Sequence, residues 1–431
     1  MYTPIKCYTE DTMNIYFSGI GGVGIGPLAE IARDAGHTIL GSDLAEGLVT
    51  DQLKAAGVTV SIGQDGSFLR KSHQKTPIDW FVYTSALPED HPELVLAREL
   101  GLRIGKRDEF LAYVIQEKDL KLIAISGTHG KTTTTGMMVW AFQQLGIPVS
   151  YSVGSTLSFG PSGKYDPESK FFVYECDEYD RNFLHFQPHI ALLTSVDYDH
   201  PDTYPTEDTY VEAFQQFIGQ SDHTILWRQD AEYLRAGGDA KWVIDEVLPI
   251  ALAGAHNRRN ATLVAKAFEY LNIGKQEMVL SVLSTFPGTD RRFERLDTNL
   301  YTDYGHHPIE IAATLQLARE LSEHIVLVYQ PHQNRRQQRV RELYKDQFTL
   351  AEKVYWLPTY LTREDPLEHV LTAEELTEGL VNREDVIYSE LDDTLWGTIQ
   401  AARQNGRLVL CMGAGTIDSW LRQKINATDS L

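Results

Sequence analysis

The most informative part of the chain is Ala124-Ile125-Ser126-Gly127-Thr128-His129-Gly130-Lys131-Thr132-Thr133-Thr134-Thr135. The apolar residues at its start predict a buried strand, and the apolar residues that follow it predict one side of a helix. A strand, a glycine turn, Gly-Lys-Thr and a helix form the order that a phosphate-binding loop requires. In such a loop backbone N–H groups and the helix N-terminus attract phosphate, the lysine reaches the β- and γ-phosphates, and the threonine hydroxyl holds Mg²⁺. The spacing is shorter than in the usual P-loop, because Ile125 stands where the first glycine would be.

A second glycine turn lies near the N-terminus. Asn14–Ser18 is predicted to be a strand, and Gly19-Ile20-Gly21-Gly22-Val23-Gly24 follows it. Asp43 ends the next predicted strand about 20 residues later, where a Rossmann-like fold places its ribose-binding acid. The motif alone is weak evidence, because it also occurs in folds that bind no nicotinamide. Ser85, near the end of a further predicted strand, is either a ligand-binding residue at the edge of the sheet or only a helix cap before Pro88.

Composition limits the class of protein. The 431 residues include 39 basic and 60 acidic side chains, and the formal net charge is −21. This balance argues against a non-specific nucleic-acid-binding protein, so an anionic substrate would have to be met by local clusters of Lys and Arg. Cys7, Cys176 and Cys411 form no Cys-x-x-Cys pair, and neither a disulfide framework nor a zinc site is predicted. We recognise no signal peptide or membrane-spanning segment and expect a cytoplasmic protein without a membrane partner.

Two predicted strands in the centre of the chain run into acidic residues. One leads to Glu175 and the other to Asp199-His200. In a parallel sheet these ends lie at the same edge as the phosphate loop, so Glu175 and His200 are predicted to reach the metal ion of a nucleotide. Glu175 directly follows a buried strand, and its carboxylate therefore needs a partner. For the other acidic residues of this segment a solvated loop position is at least as consistent with the sequence; these are Asp177, Glu178 and Asp180.

Strands alternate with helices along the whole chain, which predicts an α/β fold. Charged residues 116–121 predict a linker, and a third unit begins at about residue 289. We therefore expect domains at residues 1–118, 119–289 and 290–431. The second contains Asn257 and Asn260, which share one face of a predicted helix and could recognise adenine, although Asn257 could also be only an N-cap.

The ordered motifs resemble those of the Mur ligases, and the resemblance covers nearly the whole chain. The motifs lie at residues 19–26, 127–135, 175–178, 199–200, 256–260, 286–293, 303–308 and 330–332. The resemblance implies an N-terminal Rossmann-like domain for a UDP-sugar, a central P-loop-type ATPase domain, and a C-terminal Rossmann-like domain that helps to hold ATP and the amino acid. It implies an ATP-dependent ligase that joins L-alanine to UDP-N-acetylmuramate through an acyl phosphate, in the synthesis of peptidoglycan precursors.

The resemblance also implies roles for individual residues. ATP would be bound by Gly127, Thr128, His129, Gly130, Lys131, Thr132, Thr133, Asn257 and Asn260. The UDP-sugar would be bound by Gly19, Gly21, Gly22, Gly24, Asp43 and Ser85. The metal ion, Mg²⁺, would be held by Thr132, Glu175 and His200, and the amino acid by His332 and Arg336. The catalytic residues would be Lys131, Glu175, His200, Arg292 (or its neighbour Arg291) and Asp303.

Other functions remain open at this level. Gln333 follows His332, whereas members that add alanine usually carry Arg there, so Gly, Ser or a tripeptide are alternative amines; Arg335 or Arg336 could supply the missing cation. A nicotinamide dehydrogenase would explain the first glycine turn but not the phosphate loop. A regulator that binds ATP without catalysis would not need the predicted catalytic residues. We expect small-molecule substrates, no nucleic-acid partner, and a monomer or weak homodimer.

Overall fold

The computed structural model of the chain describes residues 12–22, 24–84, 87–200, 203–237, 241–362, 364 and 368–429. The chain divides into two compact units. The first contains residues up to Glu246 together with Leu263–Val282, and the second contains Val247–Thr262 and the residues from Leu283 onward. The first two predicted domains thus fall largely in the first unit. The predicted limits at 118/119 and 289/290 stay predictions.

The first sheet follows from alternating strands and helices at the start of the first unit. Its strands are β1 (Asn14–Ser18), β2 (Thr38–Asp43), β3 (Thr59–Ile62), β4 (Trp80–Tyr83) and β5 (Arg103–Lys106). The helices are α1 (Gly26–Asp34), α2 (Leu48–Ala55), α3 (Ser67–Lys75), α4 (Pro92–Glu99) and α5 (Arg107–Glu117). The strands are parallel in the order β3-β2-β1-β4-β5. The glycine turn after β1 therefore lies at the topological switch point, where such sheets bind ligands.

The linker predicted over residues 116–121 is shorter in the structure. The helix α5 continues to Glu117, and the next strand begins at Lys121. Val114 and Ile115 are buried in the core, so the apolar face of α5 extends the helix into the charged segment. Only residues 118–120 connect the two elements.

The second sheet also belongs to the first unit. Its strands are β6 (Lys121–Ser126), β7 (Ser150–Ser152), β8 (Gly163–Lys164), β9 (Phe171–Glu175), β10 (Ile190–Leu193), β11 (Thr224–Trp227) and β12 (Lys241–Ile244). The helices are α6 (Lys131–Gln144), α7 (Glu207–Gln220), α8 (Arg228–Tyr233), α9 (Ala255–Tyr270, divided between the units) and α10 (Gln276–Leu283). The order is β12-β11-β10-β6-β9-β7-β8, and among the described strands of this sheet only the β7–β8 pair is antiparallel. Because β6 lies between β10 and β9, the segments after these three strands meet at one edge of the sheet.

The third sheet forms the centre of the second unit. Its strands are β13 (Glu294–Asp297), β14 (Leu300–Asp303), β15 (Ile325–Tyr329), β16 (Lys353–Trp356), β17 (Val386–Tyr388) and β18 (Leu408–Met412). The helices are α11 (Pro308–Leu321), α12 (Asn334–Val340), α13 (Ala373–Thr377), α14 (Asp393–Gln404) and α15 (Ile417–Asp429). The order is β13-β14-β18-β15-β16-β17, with an antiparallel hairpin of β13 and β14 at one end. The segments after β14, β15 and β18 lie at the same edge.

Continuous apolar strands create the cores. Every residue of β10, β15 and β18 is buried, as expected for parallel strands covered on both faces. In the first unit one apolar cluster extends from the first sheet, through residues such as Phe110 and Val114, to the second sheet, through residues such as Leu193 and Phe214. Separate clusters cover the two faces of the third sheet. The fold thereby fixes the strand ends that carry polar side chains.

Candidate active site

The phosphate loop connects β6 to α6, and two glycines fix its path. Gly127 has a φ of +128°, and a Cβ there would lie 2.5 Å from the carbonyl oxygen of Ser195. Gly130 has a φ of +85° and directly precedes α6. Both conformations favour glycine, because L side chains rarely adopt a positive φ. The loop therefore places the first N–H groups of α6 and the side chain of Lys131 at the edge of the second sheet.

Other residues of the loop are tied to the segment after β10. The N–H of Thr128 donates to the carbonyl oxygen of Ser195 at 2.8 Å, and its hydroxyl donates to the carbonyl oxygen of Asp197 at 2.8 Å. The N–H of His129 donates to Ser195 Oγ at 3.1 Å. Thr133 is half-buried in the first turn of α6. These contacts hold the loop in place, and the roles of these residues toward ATP stay predictions.

Lys131 is held by two oxygen atoms. Its Nζ donates to the carbonyl oxygen of Gly127 at 2.6 Å and to Glu178 Oε2 at 2.7 Å, and lies 3.8 Å from Asp177 Oδ1. Burial alone would lower the pKa of the Lys131 ammonium group, but the carboxylates of Glu178 and Asp177 outweigh this effect and raise the pKa. The side chain is therefore a permanent positive charge at the phosphate loop.

For Glu178 the alternative of a solvated loop charge is wrong. Its side chain has no exposed surface, and besides the contact with Lys131 its Oε1 lies 3.7 Å from Nε2 of His200. Burial raises the pKa of Glu178, and the neighbouring Lys131 opposes this effect. By contrast, the side chains of Asp177 and Asp180 remain 35% and 42% exposed. Three neighbouring acidic residues thus differ in role, because only one points into the protein.

Thr132 and Glu175 provide paired oxygen atoms next to the loop. The hydroxyl of Thr132 donates to Glu175 Oε1 at 2.8 Å, and the N–H of Gly154 donates to Oε2 at 2.8 Å. Glu175 thus has the partners that its position after a buried strand requires. Among the described residues no group of three or more His, Cys, Asp or Glu side chains could by itself hold a metal ion. The oxygen donors present nevertheless fit Mg²⁺, which commonly takes one or two carboxylates and completes its shell with phosphate and water.

In the first sheet the glycine turn after β1 is braced by the end of β2. The N–H of Gly19, where φ is +76°, donates to the carbonyl oxygen of Ser42 at 2.8 Å. The N–H of Gly21 donates to Asp43 Oδ2 at 2.8 Å, and the N–H of Gly22 donates to the carbonyl oxygen of Gly19 at 3.0 Å. The carboxylate of Asp43 therefore stabilises the conformation of the turn, and its contact with a ribose stays a prediction. Ser85 lies outside the described residues.

One cavity in the first unit borders both the glycine turn and the phosphate loop. It is lined by Gly24, Leu28, Arg107, Lys131, Ser152, Val153, Gly154, Tyr174, Glu175 and Asp177. A Cβ on Gly24 would lie 2.5 Å from Nη1 of Arg107, so this glycine allows the guanidinium to approach the turn. Sequence reasoning missed both Arg107 and Glu178. The signal that could have found Arg107 is its position directly after β5, at the carboxyl edge of a parallel sheet.

In the second unit Asp303 and the two arginines before β13 form one polar group. Asp303 is buried, and its two carboxylate oxygens accept the N–H groups of Phe293 and Gly305, each at 2.7 Å. Burial raises the pKa of Asp303 to about 6, although Arg292 opposes this effect. Arg291 and Arg292 both lie over the ring of Tyr304, at 4.6 and 5.2 Å from its centre.

The predicted amino-acid residues follow β15. The ring of His332 lies 5.5 Å from that of His306 and 5.7 Å from that of Tyr360. Gln333 stands where members that add alanine usually carry Arg. It has a φ of +60° and directly precedes α12, whose first turn contains Arg336. Burial lowers the pKa of His306 to about 4, and Arg336 contributes in the same direction. His332 and Arg336 thus share one region with His306, a residue that was not assigned from the sequence.

Asn257 and Asn260 lie on α9 in the part that belongs to the second unit. The helix begins at Ala255, so the alternative that Asn257 is an N-cap is wrong. Its side-chain amide donates to the carbonyl oxygen of Ala253 at 3.1 Å, and Asn260 is buried. Recognition of adenine by these residues stays a prediction.

Known proteins match the chain in the same order as these features. Family models match residues 14–119 (Mur ligase family, catalytic domain), 125–243 (Mur ligase middle domain) and 291–415 (Mur ligase, glutamate ligase domain). A Thermosynechococcus vestitus protein named UDP-N-acetylmuramate–L-alanine ligase is 31% identical, over 94% of this chain and 93% of that protein. The chain belongs to the Mur ligase family. The predicted family membership and ligase class are therefore confirmed.

Solved structures show the same fold as this Mur ligase. UDP-N-acetylmuramate-alanine ligase from Thermotoga maritima has a TM-score of 0.76 at 24% identity, over 97% of this chain and 99% of that chain. A murein peptide ligase from Psychrobacter arcticus has a TM-score of 0.64 at 23% identity, over 96% and 98%. The predicted three-domain α/β fold class is confirmed by these structures and the three family matches. Among the described residues, no helix is both long and apolar enough to cross a membrane.

Proposed function

We propose that this Mur ligase joins L-alanine to the lactyl carboxylate of UDP-N-acetylmuramate, with ATP as the energy source and Mg²⁺ as the cofactor. The observation that carries the proposal is the similarity to a curated ligase of that name over nearly the full length of both chains. The reaction belongs to the synthesis of peptidoglycan precursors, and we expect it to take place in the cytoplasm, where ATP is available. The protein would act on small molecules as a monomer or weak homodimer.

The chemistry explains why the site is built from cations and glycine turns. A carboxylate is a poor acyl donor, because its oxygen is a very poor leaving group. In the first step a lactyl carboxylate oxygen forms a bond to the γ-phosphorus of ATP, while the bond from that phosphorus to the bridging oxygen breaks and ADP leaves. Such a transfer needs positioning and charge neutralisation rather than a covalent protein nucleophile. Lys131 and the N–H groups at the start of α6 provide positive charge where the γ-phosphate would lie.

The metal would be held by the oxygen atoms next to this loop. Thr132 and Glu175 are the residues whose donor atoms fit it best, and His200 stays a further predicted ligand. When bound, Mg²⁺ would neutralise charge on the phosphate oxygens. Glu178 would keep Lys131 in the loop before ATP arrives, because its buried carboxylate contacts the ammonium group directly.

In the second step the amino group of alanine attacks the carbonyl carbon of the acyl phosphate. The ammonium group of alanine first loses one proton to become the attacking amine. A C–N bond then forms, the bond from the carbonyl carbon to the phosphate oxygen breaks, inorganic phosphate leaves, and a second proton leaves the nitrogen, which keeps one hydrogen as the amide N–H. Water would destroy the acyl phosphate, so exclusion of water is needed at this stage. Arg292 and Asp303 are proposed to serve ATP, and His332 and Arg336 to hold the amino acid, with Arg336 supplying the cation for its carboxylate.

Gln333 favours one alternative, a larger amine. Because Gln333 replaces the arginine that usually follows this histidine directly, a free α-carboxylate has one fewer adjacent cation to bind. A tripeptide would place its charges elsewhere. The fold also resembles that of a murein peptide ligase. A tripeptide added to the same UDP-sugar is therefore the second candidate reaction.

A direct assay separates these possibilities. Purified protein is incubated with ATP, Mg²⁺ and UDP-N-acetylmuramate, and phosphate release and product mass are measured with L-Ala, Gly, L-Ser or the tripeptide L-Ala-γ-D-Glu-diamino acid. We expect amide formation with L-Ala, at one phosphate released per amide. Formation of product with the tripeptide alone would establish the second candidate. Absence of ADP and amide with every amine would refute the proposed function.

A further inference from the structure

Arg107 occupies a position in the first unit that the proposed mechanism has not used. It is the first residue of α5, directly after β5, and it lines the cavity that also contains Lys131 and Glu175. Its Nη1 lies against Gly24 of the glycine turn, closely enough that a Cβ on this glycine would be only 2.5 Å away. The guanidinium therefore lies between the turn proposed to bind the UDP-sugar and the loop proposed to bind ATP.

Buried side chains hold Arg107 in this place. Its Nε donates to Asp108 Oδ2 at 3.2 Å, and the Asp108 side chain is only 2% exposed. The hydroxyl of Tyr174 donates to Asp108 Oδ1 at 2.7 Å. Tyr174 comes from β9, one residue before Glu175, so β9 fixes the carboxylate of Asp108, and Asp108 in turn holds Nε of Arg107. A side chain restrained in this way has less rotamer freedom to lose when it binds a ligand.

The guanidinium keeps donors available toward the cavity. Arginine has five N–H donors, and only the Nε donor of Arg107 has a hydrogen-bond acceptor within the described part of the chain. The Nη atoms form the end of the planar fork, which suits two oxygen atoms of one carboxylate. Lys131, which also lines the cavity, is already proposed to bind phosphate.

We propose that Arg107 binds the carboxylate of the acid substrate, the group that accepts the phosphoryl group, and holds it toward the phosphate loop. This inference rests on the proposed function. Two anions, the carboxylate and the γ-phosphate, must approach within about 3–3.5 Å before the P–O bond forms. Lys131 neutralises one of them and Arg107 neutralises the other. Asp108 and Tyr174 act through Arg107 and are positioning residues.

Binding measurements with two related nucleotides test this role. UDP-N-acetylglucosamine lacks the lactyl carboxylate of UDP-N-acetylmuramate but is otherwise closely similar. We expect Arg107→Ala to weaken UDP-N-acetylmuramate binding by at least about tenfold, the scale of a lost hydrogen bond to a charged group. Binding of UDP-N-acetylglucosamine should change by less than about twofold. Arg107→Lys should restore part of the difference, because it keeps the charge without the planar fork.

The matched control is Arg70→Ala. Arg70 lies on α3 in the first unit, its side chain is 53% exposed, and its Nη2 lies 3.6 Å from Glu99 Oε2. Its replacement should therefore change the binding of neither nucleotide. Asp108→Asn should raise the KM for UDP-N-acetylmuramate and leave the KM for ATP nearly unchanged, which a general loss of structure would not do. Melting temperatures of all variants are measured in parallel.

Each outcome has one meaning. Selective loss of UDP-N-acetylmuramate binding in Arg107→Ala supports the inference. Equal binding by Arg107→Ala and wild type, or equal weakening of both nucleotides, overturns it. Failure of the wild-type protein to bind UDP-N-acetylmuramate would instead refute the proposed function, and this result is visible before any variant is made.

Discussion

Replacing Lys131 with alanine should destabilise the first unit before any substrate is present. The reason is that Glu178, which has no exposed surface, would lose the ammonium group that lies 2.7 Å from its Oε2. Breaking a buried ion pair costs about 3–5 kcal/mol, because one charge is left without a partner. His200 lies 3.7 Å from the other carboxylate oxygen and can offset part of the loss. We therefore expect the free energy of unfolding to decrease by about 3 kcal/mol, which corresponds to a decrease in melting temperature of about 6–12 °C for a unit of this size.

The loss of stability in Lys131→Ala should be larger at neutral pH than at low pH. Burial already raises the pKa of Glu178 while Lys131 is present, and removal of Lys131 takes away the effect that opposes burial. With a raised pKa the folded state of Lys131→Ala binds more protons than the unfolded chain at pH values above the unfolded pKa of about 4.3. The stability of this variant should therefore fall as the pH rises from about 5 to 7, and its deficit relative to wild type should shrink as the pH is lowered.

Differential scanning calorimetry of four proteins tests this explanation. Lys131→Ala is compared with wild type, with Lys131→Ala/Glu178→Gln, and with Lys164→Ala, which removes a partly exposed ion pair with Asp166 in the same unit. The double variant should recover most of the melting temperature, because it buries no charge, and the Lys164 control should change little. Both variants at Lys131 should lose at least about 10²-fold in kcat. A double variant as unstable as Lys131→Ala, or a deficit independent of pH, would refute the assignment of Glu178 as the counter-ion.

Three further predictions concern other parts of the site. Gly127→Ala should abolish ATP turnover and lower the melting temperature, because its Cβ would lie 2.5 Å from the carbonyl oxygen of Ser195; Gly219→Ala, where a Cβ meets no atom within 4 Å, should be tolerated. For Asp303→Asn, the melting temperature of the variant minus that of wild type should increase as the pH rises from about 4 through 6. The reason is that the raised pKa of Asp303, about 6, makes its ionised form unfavourable in the folded wild type. A difference that stays the same between pH 4 and 7 would contradict this. Arg336→Ala should raise the KM for L-alanine at least about tenfold and leave the KM for ATP unchanged in steady-state assays; equal effects on both would argue against a role in amino-acid binding.

The sequence alone predicts the central strands well. Prediction and structure agree in both bounds for Asn14–Ser18, and the strands predicted to end at Asp43 and to lead to Glu175 end at those residues. Most of these segments are short apolar runs between turn residues, a pattern that a strand covered on both faces imposes. The phosphate loop is predictable for a similar local reason, because its glycines, lysine and threonine must be adjacent in the chain.

Features that depend on distant contacts were not predictable. Glu178 belongs to an acidic run that looks solvated, and its contacts are with Lys131 at the start of α6 and with His200 in the segment after β10, both distant in sequence. Asp43 was correctly placed at the end of β2, yet its contact with the N–H of Gly21 depends on how the turn folds back. Arg107 carries no local motif, and its meaning appears only when α5 is seen to begin at the cavity.

The net charge of −21 makes these local contacts decisive for an enzyme that must bind several anions. At physiological ionic strength the Debye length is about 8 Å, so most of the acidic surface is screened from a ligand inside a cavity. What the ligand meets there is Lys131 and Arg107, opposed by Glu175 and Asp177. Glu175 is already engaged by Thr132 and Gly154, and Asp177 is partly exposed, so neither carboxylate fully neutralises the two cations. If this balance is correct, raising the salt concentration should weaken UDP-N-acetylmuramate binding only slightly, whereas an additional negative charge in the cavity, as in Ser152→Asp, should weaken it strongly.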